Sequence, residues 1–137
     1  MKKVLQKLSL NPNNSIVIGS GILQVLGIRK SKDIDVVASQ DVYDSLKKSG
    51  KFTVSKNHGR EVLSDGIFEI GTSWKVLDKS YRFEDFTNDS IVINGVRYIT
   101  IGFLYKAKKS WVDGGYARQK DIEDVRSIEK YMSKLWV

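Results

Sequence analysis

Two acidic residues near the N-terminal end of the chain have a spacing that could bind a metal ion. Asp33 and Asp35 alternate with the apolar residues Ile34 and Val36. Successive side chains of a β-strand point to opposite faces, so a strand here places both carboxylates on one face. Two carboxylates held this close raise each other's pKa unless a cation lies between them. Since Mg²⁺ is commonly bound by one or two carboxylates plus substrate phosphates, the pattern predicts a magnesium site.

A glycine-rich turn precedes these aspartates. Residues 16–21 read IVIGSG, an apolar run followed by Gly-Ser-Gly. Glycine leaves backbone N–H groups accessible, and the residues that follow can begin a helix directed at a phosphate. Gly19 and Ser20 are therefore predicted to bind phosphate, and the turn and the aspartates together indicate nucleotide chemistry. The ordinary alternative is a surface strand with two solvated aspartates beside an unremarkable turn.

The order of these two motifs resembles the signature of the nucleotidyltransferase superfamily, which has a polymerase-beta-like fold. That signature is apolar-Gly-(Gly/Ser), a short helix, then Asp-apolar-(Asp/Glu)-apolar. Gly19-Ser20 matches the first part and residues 33–36 match the second, with Gly27-Ile28-Arg29 between them. The resemblance is firm over residues 16–37 and extends to residues 67–70 and 104–128. It implies an α/β (α+β) fold, a minimal nucleotidyltransferase with helices packed on a mixed β-sheet.

Glu69 is the predicted third carboxylate of the site. It lies in the segment Ile67-Phe68-Glu69-Ile70, where a charge on a strand suited to burial needs a partner or a metal ion. In the resembled family a third acidic residue on a later strand completes the site. The resemblance therefore implies that Asp33, Asp35 and Glu69 are catalytic and hold Mg²⁺ or Mn²⁺. Asp65 competes for this role from a predicted turn, and the ordinary alternative puts Glu69 on a solvent-facing strand surface.

A second resemblance lies near the C-terminus, where residues 116–125 read YARQKDIEDV. Small bacterial nucleotidyltransferase-like proteins carry a similar Arg-x-Lys-Asp-x-x-Asp run; they include toxin components of toxin–antitoxin pairs and enzymes that modify aminoglycosides or lincosamides. The run typically follows a helix that bears a lysine. Lys106 takes that place here, with Lys108 and Lys109 as alternative registers. Gln119 stands where many relatives have Pro, which mainly favours a helix start.

The resemblance implies that Lys106, Arg118 and Lys120 bind the nucleotide. Physically, Arg118 and Lys120 beside a helix N-terminus could neutralise a triphosphate. Asp121 and Asp124 could cap this helix or pair with the two cations. The ordinary alternative for both aspartates is a capped and salt-bridged helix start.

Composition limits the class of protein. The chain has 137 residues, so a single domain over 1–137 is expected. It contains no Cys and one His, His58, which argues against thiolate or histidine zinc sites and against a Ser-His-Asp triad. His58 itself is expected in an exposed turn. The absence of Cys fits a cytoplasmic protein, and the sequence suggests neither a signal peptide nor a membrane span.

The net charge of +7 would attract phosphates of a nucleotide or a nucleic acid, although many proteins are this basic only for solubility. Apolar periodicity and turn signals then predict the element order. We expect helices at 1–8, 21–26, 40–48, 103–112 and 120–135, and strands at 15–18, 33–38, 52–54, 60–63, 67–70, 91–93 and 96–99. The aromatic segment 74–86 has no clear element; its rings either enter the core or line a pocket.

The sequence thus predicts a metal-dependent nucleotidyltransferase. It would move a nucleoside monophosphate from a triphosphate such as ATP to an acceptor hydroxyl and release pyrophosphate. The acceptor is open between a small molecule, an RNA end and a protein side chain, and a partner subunit or homodimer could supply the acceptor wall. The alternative is a non-catalytic module of the same fold that binds nucleic acid or a partner.

Overall fold

The computed structural model describes residues 1–57 and 59–135, so the turn predicted at His58 lies outside the described residues. The helices are α1 (Lys2–Lys7), α2 (Gly21–Val25), α3 (Gln40–Lys48), α4 (Ile101–Asp113) and α5 (Gln119–Lys134). The strands are β1 (Ser15–Ile18), β2 (Ile34–Ala38), β3 (Thr53–Asn57), β4 (Arg60–Ser64), β5 (Phe68–Gly71), β6 (Ser73–Val76), β7 (Lys79–Arg82), β8 (Ser90–Ile93) and β9 (Val96–Ile99). Within the described ranges no helix is long and apolar enough to cross a membrane.

Seven of the strands form one mixed sheet in the order β3-β4-β5-β2-β1-β9-β8. Strand β2 runs antiparallel to β1 and parallel to β5, and β1 runs parallel to β9. Helices accompany the sheet, so the predicted α/β (α+β) class with a mixed sheet is confirmed. Strands β6 and β7 form a separate two-stranded hairpin.

The centre of the sheet is where the most apolar segments lie. All four residues of β1 are buried, and Ile16 is fully shielded from solvent. In β2 only Val36, Val37 and Ala38 are buried, whereas Ile34 and Asp35 at its start are partly exposed. The acidic motif therefore lies where the central strand emerges from the core.

Predicted element boundaries differ from the observed ones by one to three residues, and the largest difference is at β3, which was predicted at 52–54 and extends to Asn57. Helix α4 begins at Ile101, two residues before the predicted start, because the Thr100 side chain accepts a hydrogen bond from the Phe103 N–H at 3.2 Å. The predicted Asn94-Gly95 hairpin is confirmed: both residues have positive φ, and β8 pairs antiparallel with β9.

Residues 73–86 are the main feature that sequence patterns did not predict. They form the β6–β7 hairpin and a single 3₁₀ turn, Phe83–Phe86, which together lie against α4. Phe103 of α4 has ring-centre distances of 5.2 Å to Tyr81, 5.5 Å to Phe86 and 5.9 Å to Trp74. These rings therefore pack mainly as core, and aromatic contact with a distant helix holds the short strands in place.

We expect Phe86→Ala to destabilise the protein by about 3–5 kcal/mol, because it empties a site that is 1% exposed between two aromatic rings. The free energy of unfolding in urea measures this. Ile91→Ala, at a residue 46% exposed, is the control and should change it by less than about 0.5 kcal/mol. Equal effects in the two variants would contradict the assignment of Phe86 as the anchor of the hairpin.

Candidate active site

Three neighbouring strands bring the predicted site residues to one end of the sheet. Ile18, the last residue of β1, pairs with Asp35, and Asp35 pairs with Glu69 of β5. Laterally paired residues project from the same face of a sheet, so the two carboxylates lie side by side. Asp33 precedes β2 and is exposed, whereas Asp35 and Glu69 are half-buried.

Gly19 places the turn backbone directly against Asp35. Its φ is +64°, a conformation that residues with a side chain rarely adopt. A Cβ added at Gly19 would lie 3.2 Å from Oδ2 of Asp35. The glycine is thus required both by the turn and by the close approach of its backbone to the carboxylate.

Ser20 connects the glycine turn to the loop that carries Asp33. The hydroxyls of Ser20 and Ser31 are 2.7 Å apart, and the Ser31 hydroxyl donates to the Asp33 carbonyl at 2.9 Å. The Ser31 N–H donates to Oε1 of Gln24 in α2 at 2.8 Å. This chain of hydrogen bonds fixes the distance between the turn and the acidic motif.

Asp35 lies in a field of excess negative charge. Burial raises the pKa of Asp35, and the carboxylates of Glu69 and Asp33 raise it further. The positive charges of Arg60 and Arg118 oppose this rise. A cation bound at Asp33 and Asp35 would relieve the repulsion, so the chemistry of these two donors fits a single divalent ion.

Glu69 is held by neutral and cationic partners from the adjacent hairpin. Its Oε1 accepts a hydrogen bond from Nδ2 of Asn57 at 2.6 Å and lies 3.8 Å from Nη2 of Arg60. Burial lowers the pKa of Arg60, while the charges of Glu69 and Asp35 act to raise it. Arg60 also donates from Nη1 to the Ser73 carbonyl.

The sequence analysis did not find Arg60 or Asn57. One sequence feature could have indicated Arg60: Gly71 lies two residues beyond Glu69 on the same strand face. Glycine in a strand often marks a close approach by another group. A Cβ at Gly71 would collide with the Arg60 guanidinium. The arginine therefore occupies the space that this missing side chain leaves.

The predicted set of three metal-binding carboxylates is not assembled around one point. Among residues 1–57 and 59–135, no group of three or more His, Cys, Asp or Glu side chains is arranged to hold a metal ion. Asp33 and Asp35 fit one ion by their chemistry. Oε1 of Glu69 accepts from Asn57 and faces Arg60, so this oxygen is occupied by protein partners, and a metal-binding role for Glu69 stays a prediction.

A buried ionic network involves the C-terminal run of residues 116–125. Lys108 of α4 is 2.6 Å from Oδ1 of Asp121 and 3.0 Å from Oδ2 of Asp124. Asp124 also receives two hydrogen bonds from the Arg29 guanidinium, at 2.6 and 2.8 Å. Both aspartates and the lysine are buried. Of the three candidate registers, Lys106 was favoured, but Lys106 is exposed and Lys108, on the opposite side of the helix, is the lysine that faces this run.

The remaining predicted nucleotide-binding cations lie at the start of α5. Arg118 is the N-cap, with its side chain 74% exposed, and its backbone N–H donates to Oδ2 of Asp121 at 3.1 Å. Its positive charge acts to lower the pKa of Asp35. Lys120 is exposed in the first turn of α5. Asp121 caps the helix and pairs with Arg118, as predicted, but its close ion pair is with Lys108. Asp124 pairs with Arg29 and Lys108 instead of the predicted Arg118 and Lys120.

Three solved structures resemble this fold. ANT(2″)-Ia in complex with adenylyl-2″-tobramycin gives a TM-score of 0.58 at 14% identity, covering 95% of this chain and 84% of that one. The solution structure of the antibiotic-resistance factor ANT(2″)-Ia gives 0.55 at 15% identity, covering 96% and 86%. A crystal structure from Thermotoga maritima, described as that of a putative nucleotidyltransferase, gives 0.53 at 17% identity, covering 96% and 92%. The chain has a nucleotidyltransferase-like fold. No protein-family model and no curated protein matches its sequence.

Within this nucleotidyltransferase-like fold, the ionic network links three separate segments. Burial alone would raise the pKa of Asp124, but hydrogen bonds from Arg29 and Lys108 outweigh it and leave the pKa lowered. Burial alone would also raise the pKa of Asp121. The contacts with Lys108 and Arg118 outweigh burial, so the pKa of Asp121 is lowered as well. A carboxyl with a lowered pKa stabilises the folded state when ionised and loses this contribution as the pH falls through its folded-state pKa.

Asp124→Asn should therefore destabilise the protein by about 3–5 kcal/mol at pH 7, because Arg29 and Lys108 lose a buried counter-charge. The difference from the parent protein should shrink as the pH falls from the ordinary pKa of an aspartate, where the unfolded chain takes up the proton, to the lower folded-state pKa of Asp124, where the folded parent does so too. Urea unfolding at several pH values measures this. Asp113→Asn, which breaks the exposed pair with Lys109, is the control and should change little. A pH-independent effect of Asp124→Asn would contradict this account.

Proposed function

We propose that this protein catalyses metal-dependent nucleotidyl transfer. The observation that carries the proposal is the lateral alignment of the Gly19 turn, Asp35 and Glu69 at one end of the sheet, with Asp33 beside them. Carboxylates can bind a cation while the neighbouring glycine backbone binds a phosphate. The arrangement therefore suits a ligand in which a cation and a phosphate are bound together. The likeness to nucleotidyltransferase structures supports the same conclusion.

In the proposed reaction an acceptor hydroxyl attacks the α-phosphorus of a nucleoside triphosphate, ATP being the expected donor. A new acceptor O–P bond forms, and the bond from the α-phosphorus to the α,β-bridging oxygen breaks. Glu69, aligned beside Asp35, is the group assigned to accept the hydroxyl proton. The products are the nucleotidylated acceptor and pyrophosphate.

The chain's own residues would bind and orient the triphosphate. The backbone N–H of Gly19 and the hydroxyl of Ser20 would donate to the β- and γ-phosphates, and the largely exposed Arg118 would neutralise part of their charge. Asp33 and Asp35 would hold Mg²⁺ or Mn²⁺, which supplies positive charge to the phosphates in the transition state. Lys106 and Lys120 are exposed to solvent. They would bind the nucleotide where it extends over the protein surface.

The acceptor remains one of three classes: a small molecule, an RNA end or a protein side chain. The ANT(2″)-Ia structure contains an adenylylated tobramycin, which makes a hydroxyl-bearing small molecule a concrete first candidate. A homodimer or partner subunit would supply further acceptor contacts. A toxin–antitoxin role in the cytoplasm is a more specific form of the same proposal.

Asp33→Ala should eliminate transfer, because it removes a proposed ligand of the ion without disturbing the core; Asp33 is exposed. Ser20→Ala should lower turnover by about tenfold, which corresponds to one lost hydrogen bond to a charged phosphate. Pyrophosphate release from each labelled triphosphate, measured with aminoglycosides, RNA and protein acceptors, tests both variants. Lys48→Ala, at an exposed residue of α3, is the control and should retain full turnover.

The rival function is a binding module, which the internal pairing of Glu69 with Arg60 and the net charge of +7 favour. Under that function no acceptor would support turnover. Asp33→Ala would then tighten RNA binding, because a negative charge leaves a basic surface. Gel-shift titration of RNA with the parent and the variant measures this. Tighter binding together with no turnover would reject the enzyme and support the binding module.

A further inference from the structure

Arg60 is a fixed part of the acidic site. Its side chain is 19% exposed and that of Glu69 26% exposed, so both are largely shielded from solvent. Its Nη1 donates a hydrogen bond to the Ser73 carbonyl, and its Nη2 lies 3.8 Å from Oε1 of Glu69, within ion-pair distance. The hydrogen bond to the backbone holds the planar charged group beside the carboxylate.

The backbone of β5 leaves space for the Arg60 side chain. Gly71 is buried and has no side chain where the Arg60 guanidinium lies, and a Cβ there would collide with it. Asn57, which pairs with Arg60 in the register of β3 and β4, donates to the same oxygen of Glu69 that Arg60 faces. Glycine, amide and guanidinium together hold the Glu69 carboxylate in one orientation.

Arg60 acts electrostatically on both Glu69 and Asp35, so one positive charge already lies beside these two carboxylates. A divalent cation placed between them would be close to a fixed guanidinium. Like charges a few ångströms apart repel, and they repel more strongly where water is partly excluded, so the guanidinium disfavours a second cation at this position.

We infer that this site holds one divalent ion, at Asp33 and Asp35, and that Arg60 supplies at Glu69 the positive charge that a second ion would otherwise supply. Arg60 is then a positioning residue: it orients the Glu69 carboxylate beside Asp35. The inference rests on the proposed function for the ion at Asp33 and Asp35. It extends that function by setting the number of ions and giving a role to a residue outside the recognised motifs.

The test counts bound ions and requires no turnover. Mn²⁺ is titrated into the full chain with saturating α,β-methylene-ATP, and free Mn²⁺ is measured by its electron paramagnetic resonance signal. We expect one Mn²⁺ for each chain of the parent protein and of Arg60→Lys, which keeps the charge. Arg60→Gln should bind two. Arg126→Gln, at an exposed position of α5, is the charge-matched control and should bind one.

Gly71→Ala provides an independent variant if Arg60→Gln does not fold. It keeps the arginine but displaces its guanidinium, and the flexible end of that side chain can move away from the new methyl group. We expect a second Mn²⁺ to bind in this variant at a higher concentration than the first. Circular dichroism and urea unfolding establish that each variant is folded before its ions are counted.

Two Mn²⁺ bound to the parent protein, or one bound to a folded Arg60→Gln variant, would overturn the inference. One Mn²⁺ in Gly71→Ala, with the parent's affinity, would also count against it. The proposed function can fail separately: no transfer to any acceptor, with one Mn²⁺ still bound beside the analogue, rejects the enzyme and leaves the ion count standing. No Mn²⁺ bound to the parent would reject both.

Discussion

The structure depends on a buried ionic network that joins segments distant in sequence. Arg29 lies in the loop before β2, Lys108 in the middle of α4, and Asp121 and Asp124 in the first turns of α5. The two cations and two anions balance each other. Each would be costly to bury alone, so the network is stable only when all three segments are in place.

This network anchors the loop that carries the acidic motif. Arg29 begins the short loop that leads to Asp33, and its guanidinium also donates to the Lys30 carbonyl at 2.9 Å. From the other side, Ser20 and Ser31 tie the same loop to the glycine turn. The acidic motif is therefore held between an ionic anchor and a hydrogen-bonded one, although Asp33 itself is exposed.

The site combines excess negative charge with partial internal compensation. Asp33, Asp35 and Glu69 are balanced in part by Arg60 within the sheet and by Arg118 at the edge. The two cations differ in exposure: the Arg60 side chain is 19% exposed and that of Arg118 is 74% exposed. Arg60 is thus a structural part of the site, while the Arg118 side chain lies mostly in solvent.

The sequence alone determined the central part of the fold, because local signals there agree with the final environment. The buried strand Ser15–Ile18, the Asn94-Gly95 turn and the alternation around Asp35 all follow from patterns of two to six residues. The nucleotidyltransferase-like fold followed from the order of two such motifs. The hairpin over residues 73–82 was missed because its short strands are partly exposed and depend on ring contacts with Phe103.

Only the tertiary structure decided how the charged residues pair. The sequence favoured Lys106 and left Lys108 and Lys109 as alternative registers, and the packing of α4 against α5 selects Lys108 for the buried position. Arg60 reaches Glu69 through a side chain that crosses a glycine on the neighbouring strand. The sequence fixes which residues can carry charge and on which strand face they lie. Which charges meet depends on long, flexible side chains and on distances between elements, and these exist only once the sheet and helices have assembled.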